Sequence, residues 1–330
     1  MLLRYPAYYD QFRCIAAACP DSCCKEWDVL IDAQSAEAYR QMPGELGDSL
    51  RAHIKQSDGE WFFEITKGRC PMWRDDGLCR IQAACGHDAL CQTCRQFPRL
   101  THDYGDFMEL GLELSCPEAA RIIFSAESGW IQQETEGGEA PQYDAHDMAI
   151  LLRTRNVMLT ILADESRPVS ETLALALLYG YRAQDELDGA DPIPFDPEAE
   201  LAFGRSMAKP ANRDAILDFY KNLEILTATW REMLENPRQA PCWDPALRIL
   251  ARYGVERYWL QAISDFDLVG RVKMVILSCI LVYILGGKVP ETSQIYGKEI
   301  ENSIENVEAI LDGVYTCPAL TDDKLLGLLL

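Results

Sequence analysis

Cysteine spacing in the first 116 residues is the feature of this chain best suited to chemistry. Ten of the thirteen cysteines lie there, and Cys91 and Cys94 form a Cys-x2-Cys pair. Thiolates at short spacing bind zinc or iron–sulfur clusters, usually four to a site, so the ten could fill two sites, or one site with spectators. The other eight are Cys14, Cys19, Cys23, Cys24, Cys70, Cys79, Cys85 and Cys116.

The first residues, MLLRYPAYYDQF, predict a cytoplasmic protein, because charges and tyrosines interrupt the apolar stretch that a signal peptide needs. In a reducing compartment, clustered thiols are more often metal ligands or redox groups than disulfide bonds. We therefore favour a metal site over disulfide bonds or unliganded thiols.

The spacing alone does not distinguish zinc from an iron–sulfur cluster. Neighbouring side chains diverge, so Cys23 and Cys24 are difficult to place on one tetrahedral zinc ion, and the chain has one Cys-x2-Cys pair where common zinc modules have two. We favour iron–sulfur and keep zinc as the alternative. His87 and His102 lie within the cysteine region and are further candidate ligands.

The formal net charge of −21 opposes nucleic-acid binding, which requires a basic surface. It favours a basic or lysine-presenting partner, or only keeps the protein in solution. The longest apolar run, at 274–285, is shorter than the roughly 20 residues that span a membrane. We expect this run to be a buried helix or strand, and we expect no membrane partner.

The composition changes near residue 125, where the cysteine-rich part gives way to long apolar-periodic segments. We predict a mainly α protein, with a cysteine-rich metal-binding domain with short strands at 1–125 and a helical domain at 126–330. Asp196 and Asp244 each precede a proline and are expected to cap helices. A strand is expected at 61–66, and helices at 147–163, 170–187, 213–235 and 270–285.

Four strings together resemble one known family: YYDQFRCIAAACPDSCCKEWDVLID, GRCPMWRDDGLCRIQ, LCQTCRQFPRL and LELSCPEAAR. They are similar to the flagellin lysine-N-methylase (FliB-type) family, whose N-terminal region resembles the zinc- or iron-chelating domains that are named for a CxxCxxCC motif. The strings cover about residues 8–121, and Cys85 is not a family cysteine. The cysteines that fit the family are Cys14, Cys19, Cys23, Cys24, Cys70, Cys79, Cys91, Cys94 and Cys116.

The resemblance implies transfer of a methyl group from S-adenosylmethionine to the ε-amines of lysines on flagellin. It also implies a 4Fe–4S cluster held by four of the nine family cysteines. Two patterns of other methyl-transferring enzymes are missing from the sequence: a Gly-rich loop after a strand, and the complete Cys-x3-Cys-x2-Cys signature of radical S-adenosylmethionine enzymes.

Methylation would require the lysine amine, whose pKa is near 10.4 in water, to lose a proton before it attacks the methyl donor. The sequence identifies no catalytic residue, but it offers candidates. Arg95 and Arg99 could bind the carboxylate of S-adenosylmethionine or offset the charge of a cluster. Three tryptophans could shield a cluster from water or pack on the adenine ring of S-adenosylmethionine: Trp27, Trp61 and Trp73. The polar candidates for proton transfer are Asp103, Tyr104, Asp106, Glu109 and Glu113.

Two other functions remain open from the sequence. In the first, the cysteine region is a zinc scaffold and the helical part binds a protein without catalysis. In the second, the chain is an iron–sulfur redox protein that transfers electrons only.

Overall fold

The computed structural model describes residues 1–21, 23, 29–57, 59–66, 68–127 and 129–330. Two of the residues singled out from the sequence, Cys24 and Trp27, lie outside the described residues. The described chain is mainly helical with two small sheets, and this confirms the predicted fold class.

The strands form a four-stranded and a three-stranded sheet within the described ranges. The larger sheet has the order β5-β6-β1-β7, with β1 parallel to β6 and antiparallel to β7. The smaller has the order β2-β4-β3, and β4 covers the first part of the strand expected at 61–66. The strands are β1 Leu2–Pro6, β2 Val29–Ile31, β3 Ile54–Ser57, β4 Glu60–Phe63, β5 Arg99–Asp103, β6 Phe107–Leu112 and β7 Trp130–Glu134.

Short helices surround the smaller sheet and form a small hydrophobic core with it. Asp32 connects two of them, because its carboxylate accepts hydrogen bonds from the backbone N–H groups of Ser35 at 2.9 Å and Gln92 at 2.8 Å. This core includes Cys70 and Cys91, both buried. The helices are α1 Ala33–Gln41, α2 Gly44–His53, α3 Arg80–Cys85 and α4 Gln92–Gln96.

The remaining helices form the large hydrophobic core. They are α5 Pro117–Ser125, α6 Ala145–Leu162, α7 Val169–Leu187, α8 Pro197–Met207, α9 Arg213–Lys221, α10 Ala228–Glu235, α11 Leu247–Tyr258, α12 Leu268–Leu285, α13 Val289–Tyr296, α14 Ile304–Thr316 and α15 Asp322–Leu329. Helix α12 is long and apolar enough to cross a membrane, but 94% of it is buried within the protein, against α7, α11, α13 and α14. The apolar run at 274–285 is therefore a core helix, as expected.

Helices α6, α7 and α12 confirm three expected segments, and Asp196 caps α8 as expected. The single helix expected at 213–235 is wrong, because α9 and α10 are separate. Between them, the backbone N–H of Leu226 donates to Glu299 at 2.8 Å, so a tertiary contact replaces the helical hydrogen bond. Asp244 caps a turn by accepting from the Ala246 N–H, and α11 begins only at Leu247.

The large core also contains residues from the cysteine-rich part of the chain, among them Phe12, Leu114 and Ile123. Strand β7 lies beyond residue 125 and pairs with β1 near the N-terminus. Strand pairing and core packing therefore both connect residues before and after position 125. The domain boundary proposed there stays a prediction.

Candidate functional site

Cysteines that are far apart in sequence come together at one edge of the larger sheet, the edge formed by the strand ends at Pro6 and Leu112. Strands β1 and β6 are parallel, so both end at this edge, and the chain continues from them toward Cys14 and Cys116. Strand β5 runs antiparallel to β6 and begins at the same edge, because Arg99 pairs with Leu112. Cys94 lies just before the start of β5. The sheet register therefore places three cysteine segments side by side.

A cavity of about 340 Å³ opens where these segments meet. The helical part of the chain closes it with Lys298 and Asn302, and Arg99 lies in its wall. Six of the predicted metal ligands line it: Cys14, Cys19, Cys23, Cys79, Cys94 and Cys116. The structure thus collects most of the predicted ligands around one space.

Burial and backbone N–H groups shift the pKa values of the thiols at this site in opposite directions. Cys79 and Cys116 are the N-cap residues of α3 and α5, and nearby backbone N–H groups there lower their pKa values. Burial has the larger effect, raising the pKa of Cys116 to about 12 and that of Cys79 above its usual value. Without a compensating cation, these two thiols stay protonated at neutral pH.

Cys70 and Cys91 lie behind the cavity, in the small core. Burial raises the pKa of Cys70 to about 12. A hydrogen bond with the Cys94 thiol lowers the pKa of Cys91. Cys23 lies close enough to Cys70 and Cys116 for its charge to raise both of their pKa values. Cys23 therefore lies near one thiol of the cavity wall and one thiol of the small core.

Clustered thiols are the donor set that zinc and iron–sulfur clusters take, and a bound cation would offset the burial that disfavours the thiolate. The chemistry of this cavity therefore fits such a centre. Within the described ranges, however, no three Cys, His, Asp or Glu groups are already spaced as ligands of one metal ion. Binding of a single metal ion by three of the described groups would require them to move toward one another.

Other cysteines lie elsewhere. Cys85 and Cys242 are exposed, Cys279 is buried in the large core with its thiol donating to the Leu247 carbonyl at 3.5 Å, and Cys317 is half-buried. None of these four lines the cavity. Cys24, the ninth family cysteine, lies outside the described residues.

The two candidate arginines differ in position. Arg99 lines the cavity, with its guanidinium 5.2 Å from the centre of the Phe12 ring and 5.9 Å from that of Tyr9. Arg95 lies outside the lining and donates to the Asp88 carbonyl at 3.3 Å. The histidines differ in the same way, since His87 lines the cavity and His102 is on β5 in a separate small pocket.

Most of the other candidates have local structural contacts. Glu109 forms a buried bidentate salt bridge with Arg155, whose guanidinium donates two hydrogen bonds of 2.7 Å to the carboxylate. Asp103 accepts from the Gly105 N–H, Asp106 accepts from the Tyr143 hydroxyl, and Tyr104 stacks on Phe107. Trp61 and Trp73 each pack against an arginine guanidinium, outside the cavity lining.

A larger cavity of about 660 Å³ adjoins the cysteine cavity. The two share Asp21, Pro117 and Lys298. The Lys298 ammonium lies 2.9 Å from the Asp21 carboxylate, so this ion pair belongs to the wall that the two cavities share. We call this larger space the outer cavity.

A third cavity, of about 360 Å³, adjoins the cysteine cavity on another side and shares Phe97, Arg99 and Asn302 with it. We call it the side cavity. Glu113 and Glu301 line it, and burial raises the pKa of Glu113. Of the polar candidates for proton transfer, Glu113 is the one that lies beside the cysteines.

Sequence reasoning missed Lys298, Glu301 and Asn302, which lie some 180 residues beyond Cys116. Lys298 and Glu301 belong to a π-helical turn, Gly297–Glu301, a rare geometry that is frequent at functional sites. A Cβ atom on Gly297 would lie 3.0 Å from the Ser115 nitrogen, so glycine allows this turn to approach the cysteine region closely. One glycine before a lysine is too common a pattern to have identified the turn.

Comparison with known proteins finds three related sequences. The chain is 31% identical over 138 residues to lysine-N-methylases of Salmonella typhimurium and Salmonella choleraesuis, a match that covers 39% of this chain and 34% of each of those proteins. It is 31% identical over 127 residues to the flagellar biosynthetic protein FliU of Salmonella muenchen, covering 36% of this chain and 75% of that protein. The chain thus spans about a third of the length of the lysine-N-methylases. No family model and no solved structure matches it.

Proposed function

The chain belongs to the FliB-type lysine-N-methylase family, and on this basis we propose that it methylates lysine side chains of flagellin with S-adenosylmethionine as the methyl donor. The observation that carries the proposal is the cavity lined by six cysteines, which two further cavities adjoin. The side cavity offers a place for the donor, and the outer cavity offers a place for the substrate lysine.

The metal centre proposed here is a 4Fe–4S cluster held by four thiolates of the cysteine cavity, with zinc as the alternative. An iron–sulfur cluster, when bound, supplies one-electron chemistry beside the methyl donor. The chain's own contribution is to gather the thiols and to supply nearby positive charge. Arg99 and Lys298 line the cavity and favour the negative charge of a thiolate-ligated centre.

The outer cavity suits the side chain of a substrate lysine. Its walls include Ile15 and Ile295, which can pack against the methylene stem. They also include the Asp21 carboxylate, which already binds one ammonium group, that of Lys298. A carboxylate attracts an ammonium group and can accept the proton that it loses. We assign Asp21 the role of receiving the substrate ammonium.

A methyl-transfer assay with oxygen-free protein, S-adenosylmethionine and purified flagellin tests the proposal. We expect mass spectrometry to show methylated lysines, together with iron and sulfide in the purified protein. Cys23→Ser and Cys94→Ser should lose the metal and the activity, because both thiols line the cavity. Cys242→Ser is the matched control, since this thiol is exposed and outside the cavity.

The same experiment separates the alternatives. Full metal content in both Cys23→Ser and Cys94→Ser would contradict the ligand assignment. Stoichiometric zinc without methyl transfer would support a scaffold, and a reversible redox potential without methyl transfer would support an electron carrier.

The cytoplasm is the compartment we propose for this activity. All twelve described cysteines are free thiols, which is consistent with a reducing environment. Expression of the native protein followed by thiol labelling of cell fractions tests this assignment.

A further inference from the structure

The side cavity is lined by charges of both signs. Arg99 lies on the side shared with the cysteine cavity, and Glu113 and Glu301 lie in the remaining wall. A cavity of about 360 Å³ is within the range of small-molecule sites, roughly 300–1,000 Å³. Fixed charges of opposite sign in one cavity suit a ligand that carries both charges itself.

The carboxylate side of this cavity is held rigidly. Glu301 accepts hydrogen bonds from the Tyr253 hydroxyl at 2.8 Å, the Tyr258 hydroxyl at 2.9 Å and the Arg257 guanidinium at 3.1 Å. Glu113 accepts a hydrogen bond from the Ser115 hydroxyl at 3.1 Å. Three directed donors fix the position of the Glu301 carboxylate before any ligand arrives.

The charges on this side do not cancel. When ionised, Glu113 and Glu301 carry two negative charges, and Arg257, the arginine that interacts with both, carries one positive charge. The remaining negative charge is partly buried, where a cation is attracted more strongly than in water. The wall that carries these two carboxylates therefore attracts an ammonium group.

Arg99 provides the opposite charge. Its guanidinium packs on Phe12 and Tyr9 and forms no ion pair with a carboxylate among the described residues. A guanidinium fixed by aromatic packing is a preferred partner for a carboxylate, because it can donate two parallel hydrogen bonds. Arg99 thus remains able to bind a carboxylate from a ligand.

From this arrangement we infer that the side cavity binds the zwitterionic α-amino-acid group of S-adenosylmethionine, with the carboxylate at Arg99 and the ammonium at the wall that carries Glu113 and Glu301. This inference rests on the proposed function for the identity of the donor. Since the side cavity joins the cysteine cavity through Phe97, Arg99 and Asn302, an amino-acid group held there directs the attached sulfonium toward the cysteines.

Isothermal titration calorimetry of metal-loaded full-length protein, without oxygen, tests the inference with three ligands. S-Adenosylmethionine carries the amino-acid group and the adenosine, methylthioadenosine lacks the amino-acid group, and L-methionine lacks the adenosine. Arg99→Met and Glu113→Gln should weaken binding of S-adenosylmethionine and methionine about ten- to a hundredfold, as expected for the loss of one charged hydrogen-bond partner. Both variants should bind methylthioadenosine as the wild type does.

Arg95→Met is the matched control, because Arg95 lies four residues away and outside the cavities. It should leave all three affinities unchanged. Wild-type affinities in Arg99→Met and Glu113→Gln, or equal weakening of S-adenosylmethionine and methylthioadenosine, would overturn the inference.

The inference and the proposed function fail in different ways. Binding of methionine but not of S-adenosylmethionine by the wild type would leave an amino-acid site and remove the proposed donor. If the wild type binds neither methionine nor S-adenosylmethionine, the proposed subsite is wrong. The proposed function is then tested separately by the methyl-transfer assay on flagellin. Methyl transfer that is unaffected by Arg99→Met would keep the function and place the donor elsewhere.

Discussion

Glu256 shows how burial sets the behaviour of a single residue in this chain. Its side chain is 10% exposed, and burial raises its pKa from 4.5 to about 7. Arg252, with its Nε 3.9 Å from the carboxylate, and Arg155 favour the ionised form, whereas Glu109 opposes it and Trp130 donates a hydrogen bond. The net effect is that the folded protein keeps this carboxyl protonated until the pH approaches 7.

The elevated pKa of Glu256 predicts a loss of stability as the pH rises. Between about pH 4.5 and pH 7 the unfolded chain releases this proton while the folded chain retains it, so the free energy of unfolding falls across this window. We expect a decrease on the order of 1–3 kcal/mol, measured by urea unfolding at several pH values. Glu256→Gln should remove this contribution and be the more stable protein at pH 8.

The exposed Glu308 provides the control for this measurement. Glu308→Gln should retain the wild-type slope of stability against pH. An unchanged slope in Glu256→Gln would show that other groups cause the pH dependence.

At the residue scale, the cysteines are the part of the site that the sequence can predict. Thiols are rare and chemically distinctive, so their density identifies the ten cysteines of the first 116 residues as candidate ligands, and the resemblance to the family implies nine of them, including Cys14, Cys94 and Cys116. Arg95 and Arg99 are equal candidates by sequence, because both flank the same short motif. Only the turn between α4 and β5 determines that Arg99 faces the cavity and Arg95 does not.

At the scale of elements, close helix packing depends on two glycines. A Cβ atom on Gly180 of α7 would lie 2.8 Å from Val272 of α12, and one on Gly254 of α11 would lie 2.7 Å from Val275 of α12. Valine side chains are stiff at χ1 and cannot turn away easily. The core helix α12 therefore approaches α7 and α11 closely only because glycine stands at both positions.

Gly180→Ala tests this packing. We expect a loss of roughly 1–2 kcal/mol in the free energy of unfolding, because overpacking of about 1–3 kcal/mol outweighs the better helix propensity of alanine. In a Val272→Ala background both γ-methyl contacts are gone and the contact with the residue 272 Cβ, at 3.1 Å, remains, so Gly180→Ala should destabilise the protein less than it does beside valine. Chemical denaturation of the four proteins in this cycle measures the coupling.

Gly111→Ala is the control, because its nearest neighbour would lie at an ordinary contact distance of 3.8 Å. The same effect of Gly180→Ala in both backgrounds would contradict the packing argument.

Hydrophobic periodicity predicts the long core helices but not the break within 213–235. Helices α6, α7 and α12 are long and strongly apolar, and the sequence predicts all three. The segment at 213–235 has the same pattern, yet it divides because the loop residues Glu224 and Leu226 hydrogen-bond to Asn306 and Glu299. Those partners lie more than 70 residues away, so no local pattern could reveal the break.

At the scale of the whole molecule, the site depends on contacts that span most of the chain. Lys298, Glu301 and Asn302 reach the cysteine region from the last fifth of the sequence, and the Gln294 side chain donates to the Ser115 carbonyl at 2.6 Å. Such long-range contacts leave no trace in spacing or composition. For this reason the sequence predicts the thiols but not the residues that close the cavities around them.

The same contacts predict that the chain unfolds as one unit. Leu114, Ile123 and Phe12 belong to the large core, and the Leu114 N–H donates to the Tyr253 hydroxyl at 3.2 Å. A fragment of residues 126–330 would therefore expose apolar surface that the first part of the chain normally covers. We expect the full chain to show coincident near- and far-ultraviolet circular dichroism transitions, and the fragment to unfold without a sharp transition. Mixing it with residues 1–125 should restore cooperativity. A fragment that unfolds cooperatively at the midpoint of the full chain would instead support an independent helical domain.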